Sequence, residues 1–122
     1  MVIGGGDSNN TALANLEIFN SNTNSFSEIN SMKESRLKHR AIKLISGKVL
    51  ITGGRSAWIF SSAVQNSVEL FDPTNNSIFQ MGSLKQSRAY HTSIELSDGR
   101  VKVIGGEGSQ DNQIAETEIF IP

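Results

Sequence analysis

The feature that most constrains the fold is an internal repeat with a period near 50 residues. Residues 31–54 align without a gap on residues 83–106, at an offset of 52, with 11 identities in 24 positions. Two further marks, a Gly-Gly pair and a Glu-apolar-Phe triplet, each occur three times. The pairs begin at Gly4, Gly53 and Gly105, and the triplets begin at Glu17, Glu69 and Glu118. A period of this length indicates one supersecondary unit stacked several times along the chain.

Each unit contains four segments with the character of β-strands. In the middle unit we predict strands at His39–Ile45, Lys48–Thr52, Ser67–Phe71 and Ser77–Met81. The turn Ser46-Gly47 joins the first two, and its counterpart Asp98-Gly99 is a strong signal for a short hairpin. No helical periodicity of useful length is present. Four antiparallel strands per unit at this period predict the blades of a β-propeller.

The order of motifs in the middle unit resembles the kelch repeat. An apolar strand ends in Gly-Gly at Val49–Gly54, Glu-x-Phe-Asp-Pro follows within Val68–Pro73, and Phe79 comes next. The resemblance covers essentially the whole chain and implies an all-β, kelch-type propeller of four-stranded antiparallel blades. Phe26 and Phe79 stand where the family usually has tryptophan, and we expect phenylalanine to fill the same position between blades.

The segment Ser87–Thr92, followed by the turn at Asp98-Gly99, is similar to the bacterial and galactose-oxidase-like branch of that family. The copper enzymes of this branch carry a Tyr-His pair of ligands in such a segment, matched here by Tyr90-His91. This resemblance keeps open an alternative function, as part of an oxidase or a carbohydrate-active enzyme. Against it, the chain has one tyrosine, two histidines and no cysteine. We therefore expect no catalytic residue, metal or other cofactor in this chain.

The strand count predicts an incomplete ring of about ten strands. We expect a single propeller domain in three parts: a blade lacking its first strand (1–32), a complete blade (36–84) and a blade lacking its fourth strand (88–122). Propellers close with about four to eight blades. The chain is therefore expected to be a fragment, whose apolar blade faces meet the remaining blades of a longer parent chain or another copy.

Composition excludes several partners and chemistries. The net charge is −1, which gives no global attraction to nucleic acid or to an anionic membrane. The absence of cysteine excludes disulfides, CxxC zinc sites and thiol catalysis within this chain. No apolar run approaches the ~20 residues of a membrane helix, and the N-terminus lacks the pattern of a signal peptide. Composition leaves the cellular compartment open.

Two pairs of repeat-related residues are candidate binding residues. Arg36 and Arg88 are equivalent positions, and so are His39 and His91, although Lys38 replaces Tyr90 beside the histidine. Such arginines could hold an anionic ligand, or they could bind backbone carbonyls between blades, and we favour the second interpretation. A histidine that recurs at equivalent positions is also more often structural.

We predict that the main recognition loop is the segment 55–66. It is three residues longer than its counterparts, and it contains Arg55 and the run Trp58-Ile59-Phe60. In an antiparallel blade this loop emerges on the same face as the links between blades. These side chains could form the anchor of an interface, or they could pack on a neighbouring loop.

The partner is expected to be another protein. Six of the eleven basic residues lie within residues 33–48, so this stretch is either a solvated face or a surface for an acidic partner. Protein recognition by loops on one propeller face is the function we expect, and family resemblance rather than fold carries most of that expectation.

Overall fold

The computed structural model describes residues 1–58 and 63–122, and this part of the chain is all-β, without an α-helix. Its strands are β1 Val2–Gly6, β2 Ala12–Asn20, β3 Ser25–Ser31, β4 Arg40–Lys43, β5 Val49–Arg55, β6 Val64–Asp72, β7 Ser77–Ser83, β8 Thr92–Glu95, β9 Val101–Ile104 and β10 Thr117–Phe120. A single 3₁₀ turn lies at Ser109–Asp111. The predicted fold class, an all-β arrangement of about ten strands, is confirmed. Within these residues no helix is long and apolar enough to span a membrane.

The strands form three antiparallel sheets in chain order. Their strand orders are β1-β2-β3, β4-β5-β6-β7 and β10-β9-β8, and we call them sheets 1, 2 and 3. β5 lies between β4 and β6, with Ile51 opposite Ala41 on one side and Glu69 on the other. This is the pairing that the repeat predicts for the second strand of a unit.

In the middle unit, the first strand begins later and the second strand ends later than the sequence predicts. β4 begins only at Arg40, because Lys38 adopts φ +55° and turns the chain just before it. β5 continues through the Gly-Gly pair to Arg55, since a register shift between Thr52 and Gly54 absorbs the positive φ of Gly53. A β-bulge of this kind bends the strand without ending its pairing.

Sheet 2 is covered on both faces, which explains the uninterrupted apolar run Val49-Leu50-Ile51 in its central strand β5. Leu50 points into a cluster shared with sheet 3, and the next residue, Ile51, points into a cluster shared with sheet 1. Successive side chains of a strand face opposite sides. The buried members are Leu44, Leu50, Val68, Leu70, Leu84, Val101 and Val103 on one side and Leu16, Met32, Ile51 and Phe71 on the other.

The expectation that phenylalanine fills an inter-blade position is wrong. Phe26 on β3 is 57% exposed and Phe79 on β7 is 48% exposed. Both lie on outermost strands, and the ring of Phe26 packs on that of Phe19 across the strand pair, with ring centres 5.0 Å apart. The space between sheets 1 and 2 is filled instead by Phe71, which is fully buried.

Candidate interaction face

The loop that leads into sheet 2 inserts an arginine into the fold. Arg36 is fully buried, and its Nη1 donates to the Gly53 carbonyl oxygen at 2.7 Å. Its Nη2 donates to Glu69 Oε1 at 2.7 Å and to Ser67 Oγ at 3.0 Å. The other Glu69 oxygen accepts from the backbone N–H of Lys33 at 2.7 Å. A buried charge needs such a complete set of partners.

The loop that leads into sheet 3 repeats this arrangement. Arg88 is 1% exposed, and its Nη1 donates to the Gly105 carbonyl oxygen at 2.7 Å. Its Nη2 lies 2.9 Å from Glu118 Oε1, which is a close ion pair but not an aligned hydrogen bond. Glu118 Oε2 accepts from the N–H of Lys85 at 2.6 Å. Both arginines therefore join a loop to the third strand of their own sheet, inaccessible to a ligand.

The same arginines hold the preceding sheet through their backbone. The carbonyl oxygen of Arg88 accepts from Gly54 N at 2.9 Å, and that of Arg36 accepts from Gly5 N at 3.0 Å. At Gly53, with φ +58°, a Cβ atom would collide with the Arg88 carbonyl oxygen. A glycine is required here because the two sheets approach backbone to backbone.

Of the two repeat-related histidines, His91 is buried and His39 is half-buried, and both are uncharged at neutral pH. His91 is 5% exposed, and its Nε2 lies 2.8 Å from Thr52 Oγ1. Burial, and then the charge of the neighbouring arginine, lowers the pKa of His39 and of His91 to about 4. Burial disfavours the charged imidazolium and a nearby cation disfavours it further.

Tyr90 and His91 are adjacent in sequence but lie in different surroundings. Tyr90 is 54% exposed, whereas His91 is buried beside Thr52. Among the residues that the structure describes, no group of three or more His, Cys, Asp or Glu side chains is placed to hold a metal ion.

Lys38, Trp58 and Tyr90, which we call the Lys38 cluster, come together from three different loops. The Lys38 ammonium lies 4.0 Å from the ring centre of Trp58 and 5.1 Å from that of Tyr90. The backbone N–H of Tyr90 donates to the Lys38 carbonyl oxygen at 3.0 Å, which ties the two repeat-related loops together. Trp58 also packs on the first sheet, where a Cβ atom at Gly6 would collide with the indole nitrogen.

The rings of this cluster remain accessible. Trp58 is 44% exposed and Tyr90 is 54% exposed. Lys38 and Tyr90 both adopt φ +55°, in the left-handed region that is uncommon for residues other than glycine. Two residues at equivalent positions thus keep a costly backbone conformation that brings their side chains to one place.

The other residues predicted for the recognition loop lie elsewhere. Arg55 is 4% exposed, and its Nη2 is 3.6 Å from Glu107 Oε2, so it is part of the packing between β5 and the loop after β9. Ile59 and Phe60 fall outside the described residues. Of the predicted anchors in this segment, the structure shows Trp58 at the surface.

Sequence reasoning missed Lys38 as a member of the cluster. It noted Lys38 as the residue that replaces Tyr90 in the other repeat and as one of the basic residues of the stretch 33–48. The repeat could have indicated this contact. Equivalent loops of neighbouring units lie side by side, so Lys38 and Tyr90, which are 52 positions apart, become neighbours. The contact of both residues with Trp58 depends on how the longer loop folds, which the repeat does not specify.

Comparison with known families adds one finding. Residues 1–33, which comprise β1 to β3, match the family model of the kelch motif. A search of curated proteins found no match. The matched segment, the repeat and the antiparallel sheets together support a kelch-repeat chain of the propeller type.

Proposed function

We propose that this chain is a protein-interaction module, which binds its partner through the loops on one face of a kelch-type propeller. The Lys38 cluster is the proposed anchor. The observation that carries the proposal is that three separate loops place two exposed aromatic rings around one lysine ammonium.

The composition of the cluster fits a protein interface. Tryptophan and tyrosine are enriched at interfaces because they bury a large apolar area with few rotatable bonds. Both rings of the cluster are about half exposed, so a partner can bury the remaining area. The loops that carry Lys38 and Tyr90 are tied by the backbone bond from Tyr90 N to Lys38 O, so little ordering of these two loops is needed on binding.

The charge of the cluster favours an acidic partner segment. Within the described residues, no carboxylate lies within ion-pairing distance of Lys38. The neighbouring His39 and His91 are uncharged at neutral pH, because the pKa of each is lowered to about 4. A partner that presents a carboxylate to Lys38 and apolar groups to Trp58 and Tyr90 would satisfy all three side chains.

The experiment compares two lysines on one chain. Proteins captured by the immobilised chain are purified, and the affinity of each is measured by calorimetry for wild type, Lys38→Glu and Lys43→Glu. Lys43 is the matched control, because it is exposed at the opposite end of β4.

We expect Lys38→Glu to weaken binding at least tenfold, since it places a like charge against the acidic segment, and Lys43→Glu to change it less than twofold. Affinity of the wild type should also fall as salt is raised, and Lys38→Met should flatten that dependence. Equal effects of the two charge reversals on every captured protein would contradict the proposal.

A further inference from the structure

Sheet 1 contains the two acceptor groups, but not the arginine, of an arrangement that is complete in sheets 2 and 3. In sheet 2 the partners of Arg36 are the Gly53 carbonyl and Glu69, and Glu69 lies opposite Ile51. In sheet 3 the partners of Arg88 are the Gly105 carbonyl and Glu118. The register is the same in both sheets, because the strand partner of the glutamate, Ile51 or Val103, lies two positions before the first glycine of the pair.

Sheet 1 carries the acceptor half of this arrangement. Glu17 lies opposite Val2, two residues before Gly4, just as Glu69 lies opposite Ile51, two residues before Gly53. Gly4 has φ +51°, close to the φ +58° of Gly53, so its carbonyl has an equivalent backbone setting. Glu17 and Gly4 are therefore the equivalents of two groups that bind a guanidinium in each of the other sheets.

The Glu17 carboxylate is unpaired, whereas its two counterparts are buried in ion pairs. No described group donates a hydrogen bond to it or forms an ion pair with it. Glu28 lies directly opposite it on β3, at the position that Gln80 occupies opposite Glu69. Like charges opposite one another on a strand pair are unfavourable, so this position favours a cation.

The backbone beside this half-site is also available. β1 is paired on one side only, with β2, whereas the equivalent strands β5 and β9 each lie between two strands. In sheets 2 and 3 the strand on that side begins four residues after the arginine, at Arg40 and at Thr92. An edge strand with free N–H and C=O groups binds extended peptides by adding a strand.

From these contacts we propose that the open edge of β1, together with Gly4 and Glu17, is a binding site for an extended, arginine-bearing peptide segment from outside residues 1–122. The arginine bonds the Gly4 carbonyl and the Glu17 carboxylate, and the residues from four positions later pair antiparallel with Val2 and Ile3. A second copy of this stretch is not the source, because its Arg36 and Arg88 are both buried against their own glutamates.

The test uses a synthetic peptide with the sequence of residues 83–96, labelled with fluorescein, and measures its binding to the whole chain by anisotropy. This peptide contains the arginine and the strand that follows it in sheet 3. We expect saturable binding, weakened at least tenfold by Arg88→Ala in the peptide and at least tenfold by Glu17→Gln in the protein. The two changes together should weaken binding no more than either alone, because they remove the same contact.

Two controls locate the site. The protein variant Glu116→Gln, at an exposed glutamate, should bind the peptide as the wild type does. Hydrogen exchange should show new protection at Val2 and Ile3 on binding. New protection at Val49–Arg55 or Val101–Ile104 instead would show that the peptide had replaced β4 or β8 in its own sheet, and this would overturn the proposal.

Three other results would also overturn it: no binding, equal binding of the Arg88→Ala peptide, or a dimer of the chain that Glu17→Gln abolishes, which would make a second copy the occupant. The comparison of the two peptides, with and without Arg88→Ala, uses the wild-type protein, so the proposal can still be tested if the Glu17→Gln protein does not fold.

Discussion

Two positions in each loop between sheets, only two residues apart, have opposite surroundings. Arg36 and Arg88 are buried with their charges paired, whereas Lys38 and Tyr90 bring their side chains to the accessible Trp58. The buried pair is identical between the repeats, and the accessible pair differs. These loops therefore combine a repeated structural contact with an adjacent surface that can vary without disturbing it.

The largest expected effect is at the buried position. Arg36→Met leaves the carboxylate of Glu69 buried without its counter-charge, which should lower the free energy of unfolding by about 3–5 kcal/mol in urea titrations. The double variant Arg36→Met/Glu69→Leu removes both charges and should recover much of that loss. A loss below about 1 kcal/mol for the single variant would contradict the structural role of the arginine.

A smaller effect is expected where the loop touches the preceding sheet. Gly53→Ala combines a strained positive φ with a collision against the Arg88 carbonyl, so it should destabilise the fold by about 1–3 kcal/mol. Gly47→Ala is the matched control, since Gly47 also has a positive φ, of 86°, but nothing lies within 4 Å of a Cβ there. Thermal melts should place Gly47→Ala between wild type and Gly53→Ala. Equal melting temperatures for the two variants would show that the sheets do not meet closely at Gly53.

The buried His91 makes the free energy of unfolding depend on pH. Since the native pKa of His91 is about 4, below its ordinary 6.5, the unfolded chain takes up a proton between these values that the native chain does not. The free energy of unfolding should therefore fall as the pH drops from about 6.5 to about 4, by about 3 kcal/mol for this group. His91→Gln should flatten the curve in that window. An unchanged slope would mean that His91 is not held neutral by burial.

The fold was predictable from sequence, and the site was predictable only in part. The repeat defined which strands pair, because Ile51 and its neighbours must be buried on both faces of a central strand. Arg36 and Arg88 bind glycine carbonyls, as the structural interpretation predicted, but these carbonyls belong to each arginine's own sheet and not to a neighbouring blade. The sequence did not reveal Glu69 as the partner of Arg36, because the two are 33 residues apart and meet only once the sheet has formed.

Surface geometry was harder to predict for a physical reason. Burial constrains a core residue from every side, whereas the side chain of an exposed residue is placed by local backbone angles. Lys38 meets Tyr90 because both adopt φ +55°, and no residue-type pattern in the loops predicts that conformation. Arg55 was hard to predict for a different reason, because its burial beside Glu107 follows from the path of the loop after β9.

The contrast between the buried arginines and the Lys38 cluster is tested by the variant Trp58→Ala. Both its free energy of unfolding and its affinity for the partner protein are measured. We predict that the free energy of unfolding falls by no more than about 1 kcal/mol, because Trp58 is 44% exposed and loses only its partial packing on the first sheet, while the affinity for the partner protein falls at least tenfold. Arg36→Met provides the reverse pattern as a reference, with a large loss of stability. A loss of stability of about 2 kcal/mol or more for Trp58→Ala with unchanged affinity would show that Trp58 belongs to the packing between the sheets, and would contradict its role as an anchor.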